Sequence, residues 1–169
     1  TEREQLIRSL FDEYIEMYSS RDDRLTTRFS DNFSGFAGSS DVLVTDREEW
    51  VRITRRDFAQ IPDRIRLDIL DVALQDLAAD VVAVTAFFHI HLPKSEPILS
   101  RQTARLVLIF RHEAMEWKIA HSSISIPYGL ARENEIYPMT NLEERQHELE
   151  LIIELRTKEL AEANRKLEA

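Results

Sequence analysis

The sequence predicts an α+β fold: a cone-shaped, curved antiparallel sheet wrapped around N-terminal helices, followed by a long C-terminal coiled-coil helix. Three observations lead to this prediction. Helical periodicity dominates residues 1–60, four strand-like runs occupy residues 64–126, and residues 141–169 contain no Gly or Pro. Helices followed by long strands are typical of a sheet that packs its inner face on helices. We therefore expect one domain at residues 1–140 and a separate helix at residues 141–169.

Three helices and one short strand are expected in the first part of the chain. Residues 1–20 carry apolar side chains at three- and four-residue spacing, which is typical of a helix with one buried face. A short helix is expected at residues 21–29 and a short strand at residues 33–36. Thr45 and Glu48 predict a capping box at the start of the third helix.

Four strands are expected after these helices, at residues 64–74, 81–92, 102–112 and 117–126. The segments between them are short enough for antiparallel hairpins. The second strand is apolar on both faces for most of its length. It therefore needs cover on both sides, and we expect helices on one face and a partner sheet on the other.

Composition excludes several classes of function. The net charge is −9, with 31 acidic against 22 basic side chains and no basic run, which argues against a nucleic acid or an anionic membrane as partner. The absence of cysteine excludes a disulfide framework and a thiolate metal site. No apolar run has the length of a membrane span or the form of a signal peptide. We expect a cytoplasmic domain without a cofactor.

The last predicted strand carries a resemblance to a known family. Residues 117–127 read WKIAHSSISIP. With the order of elements, this stretch resembles the nuclear transport factor 2-like cone and, within it, the SnoaL-like domains, which often read W-[RK]-I-x-H-x-H-x-S there. The second His of that pattern is Ser123 here, and the preceding turn, often Asp-Gly, is Glu-Ala-Met-Glu. PAS domains are the alternative fold, but they usually place two strands before the helices.

The resemblance implies a cone interior that holds an acid or a base in the enzymes of this superfamily, such as steroid isomerases and polyketide cyclases. The candidates for proton transfer are His121, Tyr14, Tyr18 and Asp31. The other interpretation is that both tyrosines belong to the core and that His121 is a hydrogen-bonded structural residue. Because no second carboxylate or histidine completes a paired motif, we predict no catalytic residue.

A binding cavity for a small apolar ligand is better supported than a reaction. Aromatic side chains on the helices, together with the start of the last strand, provide an apolar wall with a few polar groups. The candidate lining residues are Tyr14, Tyr18, Trp50, Phe58, Trp117 and His121. The same side chains would equally serve as plain core.

A pair of histidines is a candidate metal site. His89 and His91 lie two residues apart on a predicted strand, so both rings leave the same face. His112 or His121 on neighbouring strands could add a ligand, but zinc normally requires three or four protein ligands. We interpret the pair as a surface or interface feature and predict no metal.

The C-terminal stretch predicts a two-stranded coiled coil, because a helix of roughly 40 Å is too long to lie on a small core. Alternate steps of four and three residues give a mainly apolar seam. The seam is Leu142, Gln146, Leu149, Ile153, Arg156, Leu160, Ala163 and Leu167. A shifted seam through Leu142, Leu149 and Ile152 is nearly as apolar, and it also meets Arg156. The alternative is an amphipathic helix folded back on its own domain.

The end of this stretch, LRTKELAEANRKLEA, resembles the signalling helix of bacterial histidine kinases and diguanylate cyclases, which has an ERT-x-EL-x-x-AN core. Leu155 replaces the first Glu of that core. The resemblance implies a parallel dimer in which the helix connects an input domain to a catalytic output domain. Because the pattern continues to the last residues without a stop signal, we expect the chain to be part of a longer protein.

These observations predict a sensory and dimerisation input domain of a bacterial signal-transduction protein, itself not an enzyme. We expect a homodimer through the C-terminal helix, with the sheet as a candidate second contact. The first alternative is a small SnoaL-type isomerase or cyclase. The second alternative is a dimerisation module that binds no ligand.

Overall fold

The computed structural model describes residues 1–38, 40–93, 102–126 and 139–168. The chain divides into two compact units, Thr1–Pro127 and Tyr128–Ala169. The first unit contains α1 (Glu2–Ser19), a 3-10 helix (Asp23–Arg28), β1 (Phe29–Phe36), α2 (Arg47–Gln60), β2 (Arg66–Ala78), β3 (Val81–His91), β4 (Ala104–Glu113) and β5 (Glu116–Ser125). The second unit contains α3 (Met139–Glu168). The α+β architecture is confirmed.

The helix termini follow from local capping. A capping box between Thr1 and Glu4 opens α1, as expected. The predicted cap of α2 is wrong by one residue, because Asp46 rather than Thr45 accepts a hydrogen bond from the backbone N–H of Glu48. At the N-cap position, where the backbone is extended, an aspartate caps a helix at least as well as a threonine. The short second helix is a 3-10 helix, and it ends one residue earlier than predicted.

Five strands form one sheet in the order β1-β5-β4-β3-β2. The pairs β2–β3, β3–β4 and β4–β5 are antiparallel, as predicted. The predicted sheet was antiparallel throughout, and this needs one correction, because β1 pairs with β5 in parallel. The first strand also begins at Phe29 rather than at residue 33. Phe29 and Phe33 are both buried, and this pairing with β5 places them in the core.

The strand predicted at residues 64–74, which is β2, is longer than its sequence pattern suggested. It runs from Arg66 to Ala78 rather than from residue 64 to residue 74, so the expected loop at residues 75–80 is mostly strand. Register shifts at two places in β2 interrupt its alternation, and Leu70 and Leu77 between the shifted pairs are 53% and 52% exposed. Bulges of this kind break the period-two pattern on which a strand prediction relies.

The core lies between the inner face of the sheet and the helices α1 and α2. On β3 the inward residues Val82, Val84, Ala86 and Phe88 are almost completely buried, and β4 contributes alternate residues in the same way. The buried stripe of α1 packs on this face, and its members are Ile7, Phe11, Tyr14 and Met17. Each large apolar side chain enclosed in this way stabilises the fold by roughly 1.5–3 kcal/mol.

A bulge in β5 reverses the faces of the strand. Ile109 of β4 lies opposite His121, whereas Phe110 lies opposite Ile119, so Ala120 is an extra residue in β5. Ile119 and Ser122 are both buried on the inner face. The prediction that His121 lines the interior of the cone is therefore wrong, because the bulge turns His121 to the outer face.

The second unit is a continuous helix of 30 residues, α3. It begins at Met139, two residues before the predicted start, and residues 127–138 before it lie outside the described part of the chain. The apolar members of the predicted seam are exposed: Leu142 51%, Leu149 44%, Ile153 64%, Leu160 66% and Leu167 83%. Among the described residues, no helix combines the length and the apolarity that crossing a membrane requires.

Candidate functional site

A cavity of about 70 Å³ lies against the inner face of the sheet, beside α1 and α2. Eight of its lining side chains are buried, and we call them the floor: Tyr14, Leu25, Phe29, Trp50, Thr54, Phe88, Leu106 and Ser122. Seven are half-buried, and we call them the mouth: Ile15, Tyr18, Ala37, Ile53, Asp57, Leu67 and Ile124. An apolar wall with a few polar groups is the composition typical of small-molecule sites.

Two tyrosines of α1 form one side of the cavity. Tyr14 and Tyr18 lie one turn apart, and their rings stack with centroids 6.3 Å apart. Burial raises the pKa of Tyr14 to about 12, although a hydrogen bond with the Ser122 side chain lowers it in part. Burial also raises the pKa of Tyr18, and the nearby charge of Asp57 raises it further. Both hydroxyls are therefore protonated at neutral pH and can donate hydrogen bonds.

Asp57 of α2 joins this pair at the mouth. The Tyr18 hydroxyl donates to Oδ2 of Asp57 at 2.6 Å, and Nη2 of Arg21 donates to Oδ1 at 2.5 Å. The carboxylate therefore has one partner on each oxygen. The Asp57 side chain is 37% exposed, so the wall of the cavity reaches solvent at this residue.

Arg21 is enclosed by its partners. Its side chain is 4% exposed, and its guanidinium lies 4.8 Å from the ring centre of Tyr18 and 4.6 Å from that of Phe58. Besides Asp57 Oδ1, it donates to the backbone carbonyls of Tyr18, Asp57 and Ile61. Such a network ties the C-terminal ends of α1 and α2 together. It also leaves the positive charge of Arg21 already satisfied.

Three of the six predicted lining residues do line the cavity: Tyr14, Tyr18 and Trp50. Phe58 lies behind the wall, where its ring meets that of Tyr18 edge to face at 5.9 Å. Trp117 is elsewhere, since its ring contacts His112 at 5.1 Å and lies under the guanidinium of Arg3.

His121 and Asp31 are also outside the cavity. On the outer face, Nδ1 of His121 lies 3.0 Å from the Ser34 hydroxyl, and the ring meets Phe36 edge to face. Burial lowers the pKa of His121. Asp31 is fully exposed, with Oδ1 3.9 Å from Nε of Arg47. Of the four acid–base candidates, only the two tyrosines share the cavity.

The candidate metal-ligating histidines do not converge on one site. Nε2 of His91 is 2.7 Å from Oδ2 of Asp68, while His112 and His121 have the separate surroundings described above. Within the described part of the chain, no group of three or more His, Asp or Glu side chains is arranged to hold a metal ion.

The sequence interpretation missed Asp57, Arg21 and Ser122. A signal for Asp57 was present, because it follows Trp50 and Thr54 at helical spacing and so places a carboxylate on the apolar face of α2. Arg21 gave no such signal. It lies in a left-handed conformation with φ of 58°, which breaks the periodicity after α1. Regular alternation from Ile119 would place Ser122 on the outer face, and the bulge at Ala120 brings it to the inner face instead.

The comparisons with known proteins agree with the fold. Residues 7–129 match the family model of the SnoaL-like domain. No curated protein matches the chain.

Three solved structures illustrate the likeness. A nuclear transport factor 2-like protein of unknown function from Pseudomonas putida is 13% identical, with a TM-score of 0.67 over 74% of this chain and 87% of its own. A domain of unknown function with a cystatin-like fold from Nostoc punctiforme is 15% identical, with a TM-score of 0.66 over 93% and 98%. A proposed ketosteroid isomerase from Parabacteroides distasonis is 17% identical, with a TM-score of 0.58 over 73% and 87%. At these identities the likeness concerns the fold alone. With its family model matched over most of its length, the chain belongs to the SnoaL-like domain family.

Proposed function

We propose that this protein is a cytoplasmic sensory domain that binds a small ligand in the cavity described above. It forms a parallel homodimer and transmits the state of the cavity through α3 to an output domain of a bacterial signal-transduction protein. A diguanylate cyclase or a histidine kinase is the output domain that the signalling-helix resemblance favours. The observation that carries the proposal is the combination of a cavity inside one unit with an exposed apolar seam on the other.

The cavity supports ligand binding better than catalysis. Both oxygens of Asp57 have partners, and the pKa of each tyrosine is raised rather than lowered. A general base needs a pKa near the working pH, and burial moves the pKa of both tyrosines away from it. The site therefore has the walls of a binding pocket and keeps both tyrosines protonated.

The seam of α3 supports a second copy of the chain as its partner. At about 1.5 Å per residue, its 30 residues extend roughly 45 Å, and the apolar seam residues are at least 44% exposed along this length. In a parallel coiled coil, Leu149, Ile153 and Leu160 pack against their equivalents. Arg145 at a g position then faces Glu150 at the partner's e position. Within one helix, Arg145 pairs with Glu148 at 3.2 Å, an exposed pair that is easily exchanged.

The outer face of the sheet offers a second contact between the two copies. Its centre carries Thr85 and Phe87 of β3 beside Val107 and Ile109 of β4, and Phe87 is 40% exposed. This is the apolar second face of β3 that the sequence predicted to need cover. Pairing of two such faces would bury it.

Native mass spectrometry of the purified protein tests the proposal, because it reports the number of chains and any retained small molecule together. We expect a dimer that carries a ligand. Ala37→Leu fills the mouth and should release the ligand while the dimer persists. Ala59→Leu, on the exposed side of α2, is the matched control and should retain the ligand. A monomer at tens of micromolar, or equal ligand occupancy in both variants, contradicts the proposal.

One observation favours a second candidate, a SnoaL-type isomerase or cyclase. Tyr14, Tyr18 and Asp57 place two hydroxyls and a carboxylate in one apolar cavity, and these are groups that can transfer protons. Turnover of hydrophobic ketones or polyketide-like compounds, abolished by Asp57→Asn, would establish this candidate. A dimer that retains no ligand and turns nothing over would leave the plain dimerisation module.

A further inference from the structure

The polar groups of the cavity select among ligands by charge and by hydrogen-bonding type. The carboxylate of Asp57 is the charged group in its wall, and each oxygen of a carboxylate can accept a second hydrogen bond. The positive charge that balances it, on Arg21, is 4% exposed and faces its four acceptors rather than the cavity. A ligand at the mouth therefore meets unused acceptors and no available cation.

Apart from the indole N–H of Trp50, the remaining polar side chains of the wall already have hydrogen-bond partners. The Tyr14 hydroxyl pairs with Ser122, and the Thr54 hydroxyl donates to the carbonyl of Trp50 at 2.9 Å. The indole N–H of Trp50 is buried and has no acceptor among the described residues, so the floor holds one unused donor. At the mouth the side-chain donor is the Tyr18 hydroxyl, and Asp57 already accepts from it. A ligand anion or carbonyl therefore meets no unused side-chain donor among the residues of the mouth.

Size places the polar end of the ligand at the mouth. A cavity of about 150 Å³ holds a benzene ring, and this cavity has about 70 Å³. A ring can therefore enter only in part, with its apolar end against the floor and the rest in the opening beside Asp57. A polar substituent is best placed at that opening, where solvent and the carboxylate both reach it.

We propose that the cavity takes a neutral, mostly apolar ring compound that carries a hydroxyl or N–H donor, and that Asp57 accepts the hydrogen bond from this donor. Carboxylates and other anions are disfavoured by the charge of Asp57, and compounds with only an acceptor gain no hydrogen bond at the mouth. This inference rests on the proposed ligand-binding function and specifies the class of ligand and the recognising residue.

Three probes that differ in one substituent test it: phenol, benzaldehyde and benzoate, titrated against the full chain while the amide and methyl NMR signals of the cavity residues are followed. With about seven non-hydrogen atoms, phenol should bind at about millimolar concentration. We expect phenol to bind at least tenfold more tightly than either other probe, which corresponds to about 1.4 kcal/mol. This ranking needs no variant and so does not depend on whether a mutant folds.

Two variants then assign the selectivity to Asp57. Asp57→Asn keeps an acceptor for Arg21 but replaces one oxygen by an N–H donor. Phenol should therefore bind about tenfold more weakly, and benzaldehyde should bind more tightly. Tyr18→Phe frees Oδ2, so phenol should bind about threefold more tightly. If benzoate or benzaldehyde binds the unmodified protein as tightly as phenol, the ligand class is wrong while the binding function stands. If no probe shifts any cavity signal, and no ligand is retained in native mass spectrometry, the proposed function itself fails.

Discussion

Gly35→Ala should destabilise the domain, because β1 approaches β5 too closely there for any side chain. A Cβ at Gly35 would lie 2.3 Å from the carbonyl oxygen of Ser122 and 2.8 Å from the Phe33 ring. The obstacle at 2.3 Å is backbone, so the two strands must separate by several tenths of an ångström. The backbone hydrogen bonds of Gly35 with Val44, both 2.9 Å long, would be strained as well.

The cost combines two effects. Overpacking a dense region costs about 1–3 kcal/mol, and weakening one or two hydrogen bonds costs about 0.5–1.5 kcal/mol each. We expect a loss of about 2–4 kcal/mol in the free energy of unfolding. Urea denaturation followed by circular dichroism measures it, with an unchanged dependence on urea concentration showing that the unfolding transition is of the same kind.

Gly38→Ala is the matched control. A Cβ at Gly38 would meet Ile124 and Ile126 at 3.6 Å, which is ordinary contact. Its unfolding free energy should change by no more than about 0.5 kcal/mol, because the smaller freedom of the unfolded chain offsets the cost of any adjustment. Equal stability of the two variants would refute the parallel pairing of β1 with β5 on which the calculation depends.

Further predictions concern the cavity, the turn between β4 and β5, and α3. Burial raises the pKa of Tyr14 from 10.0 to about 12, so the contribution of Tyr14 to stability is complete below pH 10 and is lost as the pH rises towards 12. The part of the tyrosinate absorbance that belongs to Tyr14 should therefore appear late and together with unfolding. Met115 has a φ of 69°, so Met115→Gly should stabilise by about 0.5–1 kcal/mol in urea denaturation, while Met115→Ala, which keeps the left-handed penalty, should not. Arg156→Leu should raise the melting temperature of the dimer, and a lower one would contradict the seam. When the chain is joined to an output domain, cross-linking of Ile152→Cys and of Ile153→Cys should respond oppositely to the output state, and identical efficiencies in both states would disprove a register change.

Elements set by their own residues could be predicted from the sequence. The stripe of α1 recurs at helical spacing because Ile7, Phe11 and Tyr14 face one buried side, and that spacing is visible without any partner. β3 and β4 could be predicted equally well, since their inward positions are almost uniformly apolar. Half of the predicted cavity wall was found for the same reason, because Tyr14, Tyr18 and Trp50 belong to such stripes.

Elements set by distant partners could not be predicted. The bulge at Ala120 exists only relative to β4, since it counts two residues of β5 against one of the neighbouring strand. No pattern within residues 117–126 indicates the bulge, yet because of the bulge Ser122 rather than His121 lines the cavity. The ion pair of Arg21 with Asp57 spans 36 residues, and the left-handed backbone of Arg21 aims its side chain at α2. Such contacts need the fold before they can be inferred.

Under the proposed function, the two candidate seams of α3 limit how a ligand could act on an output domain. Ile152 and Ile153 are 51% and 64% exposed, so the isolated helix does not favour burial of one over the other. Arg156, which falls on both seams, pairs with Glu159 at 3.3 Å and disfavours either register alike. A ligand shifts such an equilibrium only by its difference in affinity for the two states.

That difference has a definite size. To move the registers from about one in ten to about nine in ten, a ligand must bind one state about eightyfold more tightly, or by about 2.6 kcal/mol. A ligand held by one hydrogen bond to Asp57 and by a partly buried ring can supply little more than this difference in binding free energy. Under the proposed function, the two registers must therefore lie within a few kcal/mol of each other, and a charged residue shared by both seams does not separate them. A leucine at the position of Arg156 would add about 1.5–3 kcal/mol of apolar burial per helix to both seams alike. It should therefore stabilise the dimer and leave the balance between the two registers to the ligand.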